Sequence, residues 1–311
     1  VKLRGHKSLF AYFSSEKEGV FFFEKKKQKT FVLLLGLVLP AGVAHGDEQG
    51  RDFPKTLIFD EPGIDDEVSL PTVLFVPQDG GRETDVDFEL DKRLTTRVSL
   101  QINAGYTELA RSGEASAGGW QDSDATLKVI AYADRANEQL VSFSLVREFG
   151  GSGARRVGSG NIGSTTGAVN FGQGFASLAA PLLRPIAVTG VAGFQVPDTQ
   201  ATSTVQQALL SASLQYSFDV LAQGQAGGGL PDLARPLIPI VEVTYAAPTR
   251  GGVAAHGTMA PGLIYSGEGF QVAVEALVPL TRASGTHVGA IAQLNLSLSV
   301  FGIAALSRPI F

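Results

Sequence analysis

The chain has no cysteine. That excludes disulfides, thiolate metal sites and a lipidated N-terminal cysteine, and it suits a protein that crosses an oxidising compartment. Lysine is scarce where a water-facing sheet would need it: beyond Lys55 only Lys92 and Lys128 remain. Soluble β-proteins coat outer faces and edges with Lys and Glu. Charged residues are 18% of this chain, below the usual level of about 25%. No apolar run reaches the roughly 20 residues of a spanning helix. Histidine occurs only at His6, His45, His256 and His287. A lipid hydrolase would need a Ser–His pair on the lipid side, and His287 has the opposite parity. The expectation is a non-enzyme with no cofactor and no metal. The Gly-rich stretches "GGSGARRVGSGNIG" and "GQAGGGLP" lack the strand–helix setting and the lysine of a phosphate loop, and read as loop and turn.

What is present begins with a leader. Lys25, Lys26, Lys27 and Lys29 precede "TFVLLLGLVLPAGVAHG", the charged and apolar regions of a signal peptide. Gly42 and Ala44 place cleavage after Ala44, so residues 1–44 are assigned to the leader. From His45 onward there are 17 basic and 27 acidic residues, a net of −10. Fourteen of those acids lie in residues 45–91, against three basic residues. This balance argues against nucleic acid as a partner. "FDEPGIDDEVSLP" fits no defined calcium loop. Residues 45–67 read as an acidic periplasmic arm, with filling of a barrel lumen as the other use for them.

Period-two alternation then runs to the C-terminus. In "HVGAIAQLNLSLSV" (287–300) apolar Val288, Ala290, Ala292, Leu294, Leu296, Leu298 and Val300 alternate with polar residues, and Ile291 is the exception. "RVSLQINAGYTEL", "DATLKVIAY", "QLVSFSLVREF", "ALLSASLQYSF" and "FQVAVEALV" repeat the pattern, with weaker members at 68–76, 86–92, 166–173, 184–196, 237–247 and 258–266. Such alternation is a strand with one apolar face. The polar faces carry mostly Ser, Thr, Gln, Asn and Gly rather than long charged side chains. That composition suits a crowded wet interior, with the apolar faces turned to lipid. A soluble sandwich would instead bury the apolar faces and gather its aromatics mid-strand.

The expected fold is therefore all-β: a closed antiparallel transmembrane barrel of about 12 strands over residues 68–311. Closure is required because an open edge in hydrocarbon leaves backbone groups unpaired. Tight turns alternate with longer Gly-rich links at 110–121, 150–164, 197–206 and 248–257. This is the short-periplasmic, long-extracellular pattern of outer-membrane barrels, with "PQDGGRET" as the first outer link. Inward parity falls on Asp124, Lys128, Glu148, Glu242, Glu275, Gln215, Gln271, Gln293 and Asn295. These are the lumen-lining candidates, and Glu242 and Glu275 beside Lys128 would bias a pore against anions. Arg155 and Arg156, in an outer loop, are candidates for contact with lipopolysaccharide phosphates.

The stretches "EPGIDDEVSLPT", "FELDKRLTTRVSLQINAGYTEL", "LVSFSLVREFGGSGARRVG", "APGLIYSGEGFQVAVEALVPLTRASGTHVG" and the terminal "RPIF" resemble Gram-negative outer-membrane barrels of the meta-pathway phenol-degradation, transporter-like family. The resemblance implies an outer-membrane location and passive passage of small solutes, aromatic or hydrophobic compounds among them. It implies outer-membrane lipid, lipopolysaccharide and the barrel-assembly machinery as partners, and makes Phe311 similar to the terminal assembly signal of such barrels. The competing expectation is a structural or adhesin-like barrel with a plugged lumen that presents its loops.

Overall fold

The computed structural model describes residues 53–199, 205–224 and 229–311. The leader, its cleavage site and residues 45–52 lie outside the described residues. Thirteen strands form one antiparallel sheet: β1 (Glu67–Gln78), β2 (Gly81–Arg93), β3 (Val98–Arg111), β4 (Ala117–Trp120), β5 (Asp124–Asp134), β6 (Gln139–Glu148), β7 (Ser164–Gly174), β8 (Ile186–Pro197), β9 (Gln207–Tyr216), β10 (Leu237–Pro248), β11 (His256–Gly267), β12 (Phe270–Pro279) and β13 (Gly289–Ser297). Apart from β4 and β5, each pairs with its neighbours in sequence, and β1 pairs with both β2 and β13, so the sheet closes on itself. The short β4 and β5 both pair with β3, one after the other along its length. Together they make one interrupted stave, and the barrel has twelve.

The strand faces follow from the alternation. Gln293 and Asn295 are buried while Leu294 and Leu296 are half exposed on the opposite face. Leu210, Leu214, Ile102, Phe143 and Val274 are each about half exposed, and their neighbours Ser213, Gln215, Gln101, Ser142 and Glu275 are buried. The apolar side chains therefore point out of the barrel and the polar ones into it. An outer surface of Leu, Val, Ile and Phe suits acyl chains. Aromatic pairs flank that surface at both ends. Tyr106 and Trp120 meet edge-on at 5.7 Å; towards the opposite end lie Tyr216 with Phe218 at 5.8 Å and Tyr265 with Phe270 at 5.9 Å. Phe143, mid-strand, faces outward rather than into a core.

Several boundaries differ from the sequence-based expectation. "PQDGGRET" is not a link: β1 and β2 run through it to a two-residue turn, Asp79–Gly80, with Gly80 at φ 79°. A positive φ in a two-residue hairpin favours glycine. Phe218 does not extend β9 but opens a short helix, Phe218–Gln223, capped by Ser217. The final strand ends at Ser297; Leu298–Phe301 is a 3-10 turn. Phe311 is off the strand, 88% exposed, and its N–H donates to the Leu94 carbonyl in the β2–β3 turn. The described chain thus enters and leaves at one end of the barrel, called here the near end.

Candidate functional site

The largest departure concerns the arm. Residues 53–66 do not project from the barrel: they run inside it. Phe53, Lys55, Thr56, Ile58, Phe59, Glu61, Ile64 and Asp66 are all buried. The periplasmic placement is thus corrected for this stretch. The physical reason is its "TLIF" run, which finds apolar partners within the lumen. Ile58 and Phe59 pack with Leu74, Val76, Val191, Leu277 and Ile291. Phe53 and Ile64 pack with Ile130, Leu140 and Ala187. Leu57 leans on Ile240, Ile264 and Ala273. Room is made by small inward residues. A Cβ on Gly172 would lie 2.7 Å from the Phe53 ring, closer than side chains pack, so this glycine admits the phenyl group.

Polar contacts fix the segment in register. Leu57 and Ile58 donate their backbone N–H groups to the two carboxylate oxygens of Glu242, each at 2.9 Å. Gln271 bonds both polar backbone groups of Lys55: its Oε1 accepts from the N–H at 3.1 Å and its Nε2 donates to the carbonyl at 2.9 Å. Ser142 donates to the Pro62 carbonyl. Lys128, fully buried, donates to Asp60 Oδ1 and the Glu61 carbonyl, both at 2.9 Å. Lys55 reaches Glu61, Glu67 and Glu89. At the near end, Asp66 accepts from Lys92 Nζ at 2.6 Å and from three nitrogens of Arg93.

These charges set the protonation of the segment. Burial pushes the Glu61 carboxyl up, but the ammoniums of Lys128 and Lys55 outweigh it and bring it down to about 2. Partial burial likewise raises Asp66, and hydrogen bonds from Lys92 and Arg93 leave it below the usual carboxylate range. Burial lowers the Lys55 ammonium, and Glu61, Glu67 and Glu89 lift it well above its ordinary value.

All nine inward candidates lie on the inner face, each at most 7% exposed. They do not act as one group. Lys128 pairs with the segment's own Asp60 and Glu61. Glu242 holds the segment. Gln293 Nε2 donates to Thr72, Asn295 Nδ2 to Glu67 and Gln215 Nε2 to Ser213. Asp124 accepts from Asn103 Nδ2 and Glu148 from Ser164. Arg155 and Arg156 are exposed in the β6–β7 loop, bonded to Asn161 and to the Gly118 carbonyl. His287 precedes β13 rather than facing the lumen, and its Nε2 meets Asp79 at 2.8 Å on the surface. No group of three or more His, Cys, Asp or Glu placed to hold a metal ion exists among the described residues.

One feature was missed at the sequence level. Strand β2 presents Glu83, Asp85, Asp87, Glu89 and Asp91 on its inner face, five carboxylates at successive inward positions. At about 3.3 Å per residue this file extends along most of the strand. Its signal was the alternation "ETDVDFELD". Between this wall and the luminal segment lies a cavity of about 120 Å³, lined by Asp85, Asp87, Glu89, Gln101 and Asp124 on one side and by Leu57, Ile58 and Phe59 on the other. A second space of about 440 Å³ opens at the near end beside Phe53, Arg93 and Ser299.

No family model and no curated protein matches the chain. Among solved structures, it is similar to the COG4313 outer membrane channel from Pseudomonas putida F1, with a TM-score of 0.50, 11% identity, and 82% of this chain and 99% of that chain covered. Two others align at lower scores. The KdgM porin in complex with disordered oligogalacturonate gives a TM-score of 0.47 at 9% identity, over 74% of this chain and 98% of that one. LpxR from Salmonella typhimurium gives 0.45 at 7%, over 74% and 99%. The fold is that of an outer-membrane β-barrel. At these identities the likeness concerns architecture alone; the luminal residues must speak for the rest.

Proposed function

We propose that this barrel resides in the outer membrane and gives small solutes passive passage through a lumen that its own residues 53–66 narrow, without catalysing a reaction. The observation that carries the reading is the inner surface: polar and ionised side chains line a closed barrel whose outer surface is apolar. A channel needs a polar bore with sites weak enough to release their occupant. The carboxylate file on β2 favours cations and polar solutes over anions. Aromatic solutes fit only if they also satisfy that wall, since the apolar side of the cavity is formed by Leu57, Ile58 and Phe59 of the segment. The reading extends to Arg155 and Arg156, exposed at the far end, as contacts for lipopolysaccharide phosphates.

The test is conductance of the purified chain in planar bilayers, after heat-modifiable gel mobility has established a folded barrel. Discrete cation-preferring steps are expected. Silence over many insertions would overturn passage and favour the second reading, a plugged barrel that presents its loops. That second reading is favoured by one observation of its own, the burial of Ile58 and Phe59 among barrel side chains.

A further inference from the structure

At the near end, residues 298–311 lie across the point where the luminal segment joins β1. Leu298 donates its N–H to the Asp66 carbonyl at 2.8 Å. Beyond the exposed turn at 302–305 the chain comes back over the β2–β3 turn, where Ile310 and Phe311 donate to the carbonyls of Arg93 and Leu94. Between these points three backbone carbonyls meet two side chains. Those of Leu306 and Arg308 accept from Lys92 Nζ at 3.0 and 2.7 Å, and that of Ser307 accepts from Arg93 Nη2 at 3.3 Å. Lys92 and Arg93 are the same cations that clasp Asp66. An ammonium carries three donors, and Lys92 gives one to Asp66 and two to this stretch. One pair of cations therefore ties the foot of the luminal segment to residues 306–308.

This cover matters to the clasp and is itself loosely held. The Asp66 side chain is 4% exposed, and those of Lys92 and Arg93 are 16% and 15% exposed. An ion pair kept from water contributes more than the same pair in open solvent, where salt screens it. Burial adds little to the cover's own hold: Ile303, Ile310 and Phe311 are each more than half exposed. Elements with few apolar contacts open at low cost. We infer that residues 303–311 are a releasable latch on the luminal segment: seated, they orient and shield Lys92 and Arg93 on Asp66; released, they open that clasp to water and loosen the segment from its β1 end. Glu242 and Lys128 hold the segment at residues 57–58 and 60–61, apart from the latch's contacts, so the loosening is greatest at 64–66. The inference rests on the passage reading only for what a loosened segment would admit.

The test places a protease recognition sequence in the exposed 302–305 turn of the full chain and cuts the folded barrel in detergent. Gel filtration and mass spectrometry isolate barrels that have shed the cut piece. Residue-resolved hydrogen exchange in those barrels should accelerate at Ile64, Asp65 and Asp66 on the order of tenfold, with a smaller change at Leu57 and Ile58. The same sequence cut in the exposed far-end link 251–254 should leave 64–66 unchanged. Unaltered exchange at 64–66 after loss of the piece would overturn the latch, and so would equal acceleration by the far-end cut. A piece that leaves only when the barrel unfolds is a fixed part of the fold, and that result also overturns the latch. Conductance of the cut protein separates this inference from the passage reading. Accelerated exchange in a silent barrel supports the latch and refutes passage. Unchanged exchange in a conducting barrel refutes the latch alone.

Discussion

Two walls of the same lumen carry carboxylates and use them differently. On β10, Glu242 accepts from two backbone amides of the luminal segment, and on neighbouring β12 Gln271 holds the backbone of Lys55. On β2, Asp85 keeps an oxygen without a partner. Both walls obey one rule, polar side chains inward because lipid lies outward. What differs is how the segment reaches them: through backbone N–H groups on β10, through the Lys55 ammonium on Glu89 of β2. A carboxylate met by backbone N–H groups fixes the register of the segment, and one met by the Lys55 ammonium is half of an ion pair.

Removing a cation that ties the segment in place should have the largest effect. Lys128→Met leaves Asp60 without its ammonium and Glu61 with that of Lys55 alone, and breaking one side of a buried pair costs about 3–5 kcal/mol. The segment should leave its seat, and trypsin should cut after Lys55, which is 6% exposed in the native chain. Persistent resistance would place the holding force elsewhere. Glu242→Ala comes next. Two amides lose a charged acceptor, at about 2–4 kcal/mol together. Hydrogen exchange at Leu57 and Ile58 should accelerate on the order of a hundredfold or more, while Asp87→Asn on the opposite wall leaves it unaltered. Equal acceleration by both would erase the distinction between the walls.

Acid gives a graded version of the same test. The Glu61 carboxyl is depressed to about 2, so its stabilising contribution is present above the unfolded carboxylate pKa of about 4.3. That contribution is lost as pH falls through about 2. Protection of the 53–66 amides should hold at pH 5 and decline towards pH 2; a decline complete by pH 4 would contradict the arrangement of Lys128 and Lys55 around Glu61. The smallest effect belongs to the far-end pair Arg147–Asp198, about 40% exposed on each side. Asp198→Asn should change stability towards urea by no more than about 1 kcal/mol.

Most of the barrel was legible because two environments wrote it. Gln293 and Asn295 alternate with Leu294 and Leu296 because water and lipid lie on opposite faces, and the nine inward candidates are buried by the same alternation. The luminal segment was legible only as the second of two uses for residues 45–67. "TLIF" is too short to carry a period, and the acids around it dominate its composition. The clue lay in Ile291, the single apolar residue out of phase in its strand: it points inward onto Ile58 and Phe59. Ile130, Ile240 and Ile264 are inward apolar residues of the same kind. The turn at Asp79–Gly80 was also written plainly, since Asp-Gly between alternating strands is a strong hairpin signal. The carboxylate file of β2 was visible as alternation but was counted only as charge.

Single-channel conductance of the intact chain, against one whose residues 53–66 are replaced by glycine and serine, tests the central claim most directly. With the barrel intact in both, the replaced chain should conduct severalfold more at equal salt, because the bore is no longer filled by Phe53, Ile58, Phe59 and Ile64. Indistinguishable conductance in the two would show that these residues do not occupy the path, and the account would fail.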